Sequence, residues 1–370
     1  MLHTPFYDPE KSYEENFEKG PFGTFADGLA TQAGEMVNGK HSVLDSYDFL
    51  GFKVNSPFGI PAGPLINGKF CQAAFDNGFD ICVYKTVRTR VKKCNEWPNV
   101  LPIDVGGDLT MEKAKQGLIT KKEFTEPLAI TNSFGNPSYD PKIWQADIDN
   151  LMKWANERKG QVVCGMIEGT RWDENFTEQD FLDDWILAAR LMNGTGIHVI
   201  EANFSCPNEG DRVKRLLCFD TLQARRIAEA IKKEIGSTPL VIKLPYFESE
   251  NELRVLVKEL GNIVDGFSAI NTIPSAVHDE KGNQALPGGP WRLKSGICGV
   301  PIKWAGLDMV RRLKKLREEF GYKFQIIGVG GVTTADDFFE YQKAGADVVM
   351  SATGAMWNPY LAKEIKEKLS

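Results

Sequence analysis

The run Gly196-Ile-His-Val-Ile-Glu-Ala-Asn203 has the apolar composition of a buried strand, and it leads directly into Asn203-Phe-Ser-Cys-Pro-Asn208. Similar runs recur along the chain, and helical patterns usually follow them. The eight strand-like runs are Ser56–Ala62, Phe79–Lys85, Gln161–Ile167, Ile197–Ala202, Pro239–Lys243, Gly266–Asn271, Phe324–Gly328 and Asp347–Ser351. Amphipathic helices are predicted between them, for example over Thr221–Ile235 and Glu250–Leu260.

The alternation of these strands with helices predicts the fold class, which is α/β. The runs are too apolar for strands with one exposed face, so they indicate a parallel sheet buried on both faces. Eight such units close most economically into a (β/α)8 TIM barrel. A doubly wound open sheet is the alternative. It is disfavoured because no Gly-x-Gly-x-x-Gly follows an early strand, and Gly328-Val-Gly-Gly-Val-Thr333 lacks the third glycine.

Two parts of the chain exceed what a barrel requires. Residues 1–48 precede the first strand, and we expect them to form an N-terminal extension that acts as a covering arm or as an interface. Residues 49–370 are predicted to form the catalytic barrel. Within it, Cys94 to Asn132 is interpreted as an inserted loop region, and long insertions on a barrel often carry function.

The composition indicates which binding partners and which cellular compartment to expect. The formal charge of −6 argues against a nucleic-acid partner, because proteins that bind nucleic acid carry a concentrated basic face. The basic run from Arg88 to Lys93 is interpreted as solvated loop charge. Seven cysteines with no CxxC pair and no metal-ligand spacing predict free thiols, a reducing compartment and no metal. Because no secretory signal opens the sequence and no stretch is as long as a membrane span, we expect a cytoplasmic protein without a membrane partner.

Polar residues follow several of the predicted strands at their carboxyl ends, which converge on one mouth of a barrel. These are Lys85-Thr86, Asn203 to Cys206, Lys243 and Asn271-Thr272, joined by the loop Asn132-Ser-Phe-Gly-Asn-Pro137. A lysine that ends an apolar strand is costly unless it is paired or faces a ligand. A cysteine thiolate can remove a proton from a weakly acidic C–H, although a lone cysteine after a strand is more often a small buried hydrophobe.

Glycine-rich turns follow the last two strands. Gly328-Val-Gly-Gly331 and Ser351-Ala-Thr-Gly354 present small residues and backbone N–H groups where barrels often bind phosphate. Such turns are also common loop connectors, but their position favours a phosphorylated ligand. Flavin mononucleotide (FMN) fits, with its ring across the mouth toward Lys243.

Ordered motifs along the chain resemble the dihydroorotate dehydrogenase family, an FMN-dependent (β/α)8 group, over roughly Tyr47 to Leu369. The motifs are Asn55-Ser-Pro-Phe-Gly-Ile-Pro-Ala-Gly63, Tyr84-Lys-Thr86, Asn132-Ser-Phe-Gly135, Asn203-Phe-Ser-Cys-Pro-Asn208, Ile242-Lys-Leu-Pro-Tyr-Phe247, Ala269-Ile-Asn-Thr272, Ser295-Gly-Ile-Cys-Gly299, Ile327-Gly-Val-Gly-Gly331 and Ala352-Thr353. The resemblance implies a flavoenzyme of pyrimidine biosynthesis that oxidises dihydroorotate to orotate.

The resemblance also implies residue roles. Cys206 would take the proton from C5 of dihydroorotate while hydride passes from C6 to flavin N5, with Lys85 and Ser205 beside it. Lys243 would lie at the N1 and O2 edge of the flavin, where its charge stabilises the reduced ring. The implied substrate-binding residues are Lys85, Asn132, Phe134, Gly135, Asn136, Asn203, Asn208, Asn271 and Thr272. The implied cofactor-binding residues are Ala62, Gly63, Lys85, Thr86, Asn203, Lys243, Ile270, Ser295, Gly296, Gly330, Gly331, Ala352 and Thr353.

Several alternatives stay open within this resemblance. Soluble members of the family have Cys as the base whereas quinone-linked members have Ser, so Cys206 indicates the soluble type. Cys298 stands where glycine is expected, and residues 278–294 form a long insertion that is similar to dihydropyrimidine dehydrogenases, although Asn208 argues against that substrate. A barrel that binds flavin without catalysis is a further alternative. The electron acceptor is open among fumarate, a quinone, oxygen and a partner subunit, and the family resemblance allows a homodimer.

Overall fold

A computed structural model describes residues 2–27, 47–205 and 216–369. Strands are numbered here in chain order: β1 (Tyr47–Phe49), β2 (Phe52–Val54), β3 (Phe58–Ile60), β4 (Ile81–Val87), β5 (Ile103–Asp104), β6 (Leu118–Thr120), β7 (Ala129–Asn132), β8 (Val162–Ile167), β9 (Val199–Asn203), β10 (Leu240–Leu244), β11 (Gly266–Ala269), β12 (Ile273–His278), β13 (Lys294–Gly299), β14 (Gln325–Val329) and β15 (Val348–Met350). The α-helices are Tyr13–Lys19, Gly68–Asp76, Met111–Gln116, Pro141–Ala155, Glu178–Asn193, Thr221–Ile235, Glu250–Leu260, Lys303–Phe320, Ala335–Ala344, Thr353–Trp357 and Leu361–Leu369.

Eight of these strands close into a parallel barrel in the order β3-β4-β8-β9-β10-β11-β14-β15. Each comes from one of the eight apolar runs predicted from the sequence, so the (β/α)8 prediction is confirmed. The helices Thr221–Ile235 and Glu250–Leu260 have the predicted bounds. Periodicity succeeds here because every barrel strand is buried between the barrel interior and a layer of helices.

The helix Thr221–Ile235 illustrates why these segments are helical. The carboxylate of Asp220 accepts the backbone N–H of Gln223 at 3.2 Å, which satisfies a donor that the first turn leaves unpaired. Ile227 and Ile231, four residues apart, are buried on the face toward the barrel. The helix therefore combines a capped start with one apolar face, and that face fixes it against the strands.

The barrel interior is apolar at its amino-terminal end. Side chains such as Val83, Met166 and Val241 fill it, and Phe49 and Val54 of the β1–β2 hairpin pack against the same cluster. The hairpin lies at the amino end of β14, since the backbone N–H of Leu50 donates to the side chain of Gln325. With this end closed, the carboxyl end of the barrel is left as the mouth.

A five-stranded sheet, in the order β5-β6-β12-β13-β7, stands beside the barrel mouth. It unites the Cys94–Asn132 region with the insertion that follows β11, so the predicted inserted region carries β5, β6 and β7 as well as loops. The two insertions satisfy each other's backbone groups, a pairing that local sequence does not reveal. Arg292, buried between them, donates to the carbonyl groups of Glu96, Pro98 and Ser133.

The described part of the N-terminal extension, residues 2–27, lies against the barrel. Phe6 stacks on Phe25 with ring centroids 4.2 Å apart, and Phe25 packs near Phe79. The backbone N–H of Phe6 donates to the carbonyl of Met356 at 3.1 Å. Of the two expectations for this segment, covering arm or interface, these contacts favour the covering arm. Among the described residues, no helix combines the length and the apolarity needed to cross a membrane.

Candidate active site

A cavity with about 790 Å³ of empty space, part of it open solvent, lies at the carboxyl ends of the barrel strands. One wall comes from the turns after the barrel strands, and another comes from β7 and β13 of the added sheet. Twelve of the residues predicted for the site line it: Ala62, Gly63, Asn132, Phe134, Lys243, Ile270, Asn271, Thr272, Gly330, Gly331, Ala352 and Thr353.

Other predicted site residues lie outside the cavity lining. These are Lys85, Thr86, Gly135, Asn136, Asn203, Ser205, Ser295 and Gly296. Several contact a lining residue directly, as Lys85 does: its ammonium lies 5.1 Å from the ring centre of Phe134. Thr86 is directed elsewhere, because its hydroxyl donates to the sulfur of Met166 at 3.0 Å. Cys206 and Asn208 lie outside the described residues, so their roles stay predictions.

Lys243 reaches the mouth from β10 and is 3% exposed. Its ammonium donates to the hydroxyl of Ser268 on the neighbouring strand β11 at 3.0 Å. Burial lowers the pKa of Lys243, and the carboxylate of Glu201 in the barrel interior opposes that shift. Burial in turn raises the pKa of Glu201, with Lys243 acting in the opposite direction. Lys243 thus brings a positive charge with a buried counter-charge to the cavity floor.

Two carboxamides outside the lining share one carboxylate. Glu168, directly after β8, accepts a hydrogen bond from Asn136 at 2.6 Å and from Asn203 at 2.8 Å. Its other oxygen accepts from Arg88 at 2.7 Å, and both charged side chains are buried. A carboxylate accepts but cannot donate, so it fixes which end of each carboxamide faces it. The NH2 groups of Asn136 and Asn203 are therefore held toward Glu168.

The backbone at Gly135 brings Asn136 to this carboxylate. Gly135 and Asn136 both have positive φ, at 73° and 46°. A Cβ on Gly135 would also lie 2.8 Å from the side-chain oxygen of Asn95. Glycine is required at this position both by the left-handed backbone and by the close approach of Asn95.

The carboxamide of Asn271 and the hydroxyl of Thr272 follow β11. Asn271 donates to the hydroxyl of Ser205 at 3.0 Å, and that hydroxyl donates to the side-chain oxygen of Asn203 at 3.1 Å. This chain of bonds joins the ends of β9 and β11. The hydroxyl of Thr272 is buried close to Gly296 and has no hydrogen-bond partner in the part of the chain that the structure describes.

The glycine turns after β14 and β15 are held together beside the cavity. The hydroxyl of Ser351 donates to the carbonyl of Val332 at 2.6 Å and accepts the N–H of Ala355 at 3.1 Å. Gly331 has φ +69°, and a Cβ there would lie 2.6 Å from the Cβ of Lys303. The turn therefore has little freedom, and its backbone stays at the cavity wall.

The family of the chain follows from comparison with known proteins. A family model described as dihydroorotate dehydrogenase matches residues 45–370. The chain belongs to the dihydroorotate dehydrogenase family. It is therefore an FMN-dependent oxidoreductase of pyrimidine biosynthesis.

Three relatives show the range of similarity within this family. The dihydroorotate dehydrogenase of Dictyostelium discoideum is 32% identical over 98% of this chain and 96% of its own length. The catalytic subunit of dihydroorotate dehydrogenase B (NAD(+)) from Thermodesulfovibrio yellowstonii is 27% identical over 74% of this chain and 83% of its own length. The subunit of the same name from Bacillus pumilus is 29% identical over 64% of this chain and 74% of its own length.

The cavity of this dihydroorotate dehydrogenase family member has features that suit FMN. Lys243 lines the cavity with a buried ammonium, a charge that suits the reduced flavin ring. A Cβ built on Gly63 meets nothing within 4 Å, so the backbone there is open to the cavity. The residues that would hold the flavin and its phosphate are Lys243, Gly330, Gly331, Ala352 and Thr353.

Sequence reasoning missed several residues around the site. Tyr7, from the N-terminal arm, lines the cavity, and no signal in its neighbourhood predicted this. Glu168 ends an apolar strand, the same signal that singled out Lys85 and Lys243, so that rule would have found it. The interpretation of Arg88 as a solvated loop charge is wrong, because its side chain is fully buried against Glu168. A local basic run does not reveal a carboxylate eighty residues away.

Proposed function

We propose that the chain oxidises dihydroorotate to orotate in this cavity, with Cys206 as the base that removes the proton from C5. FMN, when bound, accepts the hydride from C6. The observation that carries the proposal is that Asn132, Lys243, Asn271 and Thr272, from distant parts of the sequence, line one cavity together with the glycine turns after β14 and β15. A planar amide substrate needs such a combination of donors and acceptors at fixed positions.

The carboxamides on this surface are suited to position the pyrimidine. Asn132 ends β7 and Asn271 follows β11, so both are carried by rigid strands. Asn136 and Asn203 are oriented by Glu168, and Ser205 links Asn203 to Asn271. These contacts support the proposal that the substrate is held in one orientation while its C5 proton is removed.

The assignment of the base to Cys206 is supported by the chemistry of another thiol. Cys298 lines the cavity, and burial of its thiol raises its pKa to about 12. Cys298 therefore stays protonated at neutral pH and is a poor base. Cys206 follows Ser205 directly in the sequence, and Ser205 contacts the lining residue Asn271. The ammonium of Lys85 contacts the ring of the lining residue Phe134. We propose that Lys85 helps to bind the substrate beside Cys206.

The proposal extends to compartment and partners. Cys71, Cys82, Cys94, Cys164 and Cys298 are free thiols, which supports a reducing, cytoplasmic environment. The net charge of −6 supports a protein without a nucleic-acid partner. A homodimer is also proposed, and light scattering of the purified protein tests it.

Anaerobic titration tests the proposed reaction. The purified protein is expected to carry FMN, and dihydroorotate is expected to bleach the flavin absorbance. Dihydrouracil, which lacks the carboxylate that this cationic cavity would bind, is expected to leave it unchanged. Bleaching by dihydrouracil alone would replace the proposal with oxidation of another dihydropyrimidine. Bleaching by neither would indicate a flavin-binding module without this activity.

A further inference from the structure

Three neighbouring barrel strands bring an acid, a hydroxyl and an amine together inside the barrel. Lys243 on β10 pairs in register with Ser268 on β11, and Glu201 on β9 pairs with Val241, two residues before Lys243. Val241 and Val199 belong to the apolar cluster of the barrel interior. Because side chains alternate between the faces of a strand, Lys243 and Glu201 point into the interior as well, with Glu201 farther from the mouth.

Ser268 connects the amine to the acid. The ammonium of Lys243 donates to the hydroxyl oxygen of Ser268 at 3.0 Å, and this hydroxyl donates in turn to the carboxylate of Glu201. A hydroxyl can accept one hydrogen bond while it donates another, so both bonds form at the same time. All three side chains are buried. The bridge therefore fixes the direction of the Lys243 side chain.

Burial and pairing have opposite effects on the acid and the amine. Burial lowers the pKa of the Lys243 ammonium, and the carboxylate of Glu201 raises it. Burial raises the pKa of Glu201, whereas Lys243 and the hydrogen bond from Ser268 lower it. Each of the two groups therefore favours the charged form of the other.

Other titratable groups on the inner side of neighbouring strands, or just after them, are Lys85, Cys164 and Glu168. The ammonium of Lys85 contacts the ring of Phe134, and the carboxylate of Glu168 pairs with Arg88. Burial raises the pKa of the Cys164 thiol, and Glu201 raises it further, so this thiol stays protonated. Among the described residues, Glu201 is thus the charged partner of Lys243.

We propose that Glu201, acting through Ser268, is a positioning residue that keeps the ammonium of Lys243 charged and directed at the cavity, so that FMN is reduced beside a fixed positive charge. This rests on the cofactor part of the proposed function, in which Lys243 lies beside the flavin ring, and it assigns the groups that maintain that charge. Reduction of FMN to its anionic form takes up two electrons and one proton. If Lys243 were neutral beforehand, the negative ring would favour a second proton on its amine.

The midpoint potential of bound FMN tests the proposal, because its slope against pH counts the protons taken up per electron pair. Dye equilibration between about pH 7 and pH 9, below the usual lysine pKa of about 10.4, measures it without substrate. The wild type is expected to take up one proton throughout this range. Glu201→Gln removes the charge that raises the pKa of Lys243, so its uptake is expected to rise toward two protons at the upper end.

Ser268→Ala is a second, smaller change that keeps the carboxylate but removes the bridge. It is expected to raise the proton count in the same direction, beginning at a higher pH than in Glu201→Gln. Asp80→Asn is the matched control. Asp80 is a buried carboxylate that also binds a serine and a lysine, Ser56 at 2.5 Å and Lys366 at 2.7 Å, but it does not line the cavity. Its proton count is expected to equal that of the wild type.

A proton count that stays at the wild-type value in Glu201→Gln or in Ser268→Ala overturns the inference. An uptake of two protons by the wild type overturns it too, because Lys243 would then be neutral before reduction. A rise in Asp80→Asn as large as in Glu201→Gln would also count against it, since loss of any buried carboxylate would then suffice. Failure of dihydroorotate to bleach the wild-type flavin overturns the proposed reaction alone, because the potential is measured without substrate.

Discussion

The carboxylate of Glu168 accepts hydrogen bonds from three side chains that are far apart in the sequence. Asn136 and Asn203 approach one oxygen, and Arg88 donates to the other. Arg88 also contacts the hydroxyl of Thr170. Glu168 and Arg88 are both buried, and their ion pair offsets part of the cost of burying each charge. Glu168 is a positioning residue for the carboxamides and also part of a buried ion pair.

We predict that Glu168→Gln destabilises the protein by about 3–5 kcal/mol, because it removes the carboxylate that pairs with the buried guanidinium of Arg88. The free energy of unfolding from urea titrations measures this. The double variant Arg88→Gln/Glu168→Gln is the control. It is expected to lose less than the sum of the two single variants, since removal of both charges leaves neither uncompensated. A single variant as stable as the wild type would contradict the role given to this pair.

The residues found from the sequence share one property with each other. Lys243 and Asn271 stand at the ends of apolar runs, and the closure of the barrel brings the ends of those runs together at the mouth. Tyr7 and Arg88 lack such a marker. Tyr7 enters the site because the arm folds back over the mouth, and Arg88 is buried because a distant carboxylate pairs with it. The sequence around Tyr7 and around Arg88 therefore does not predict either contact.

The amino-terminal end of the barrel contains a histidine at the start of β9. The Nδ1 atom of His198 accepts the backbone N–H of Val163 at 3.0 Å, and its ring lies 5.1 Å from that of Phe52 in the β1–β2 hairpin. Burial lowers the pKa of His198. Protonation would also remove the acceptor at Nδ1. Burial and the hydrogen bond from Val163 therefore both favour the neutral form of His198.

This gives a pH dependence of stability with a defined sign. In the unfolded chain a histidine titrates near pH 6.5, so below about that value the unfolded state binds more protons at this position than the folded state. We predict that the contribution of His198 to stability falls as pH falls from about 7.5 through about 6.5, by at most about 1.4 kcal/mol per pH unit. Urea unfolding across this range measures it.

The control for this prediction is His198→Asn, which keeps an acceptor near the Val163 N–H but does not titrate. Its loss of stability between pH 7.5 and pH 5.5, roughly the range around the histidine pKa, should be smaller than that of the wild type. Equal losses in the two proteins would mean that His198 does not cause the effect.

Three parts of the molecule meet around one cavity: the barrel, the sheet built from its two insertions, and the N-terminal arm. Only the barrel follows from sequence periodicity, because its strands and helices are each specified by local apolar patterns. The five-stranded sheet was not predicted, since its strands are short and pair across the two insertions, as β6 does with β12. The arm was expected to cover the barrel or to form an interface, and its aromatic contacts with Phe79 and Phe134 favour the first.

Each of the three parts contributes a different portion of the cavity wall. The barrel supplies a cation, carboxamides and glycine turns at one end, and the two added parts close the sides. That division explains why residues at the mouth could be predicted from strand ends while the full outline of the substrate site could not. The cavity is lined by residues from all three parts, and two of those parts fold through long-range pairing.

The most direct test of the account is the rate at which dihydroorotate reduces the flavin of Cys206→Ala in a single anaerobic turnover. The predicted result is retained FMN and reduction slower by about 10²–10⁴-fold, because the C5 proton then has no positioned base. Cys218→Ala, which removes a buried thiol that does not line the cavity, should reduce at the wild-type rate. Reduction of Cys206→Ala at a near wild-type rate would contradict the account.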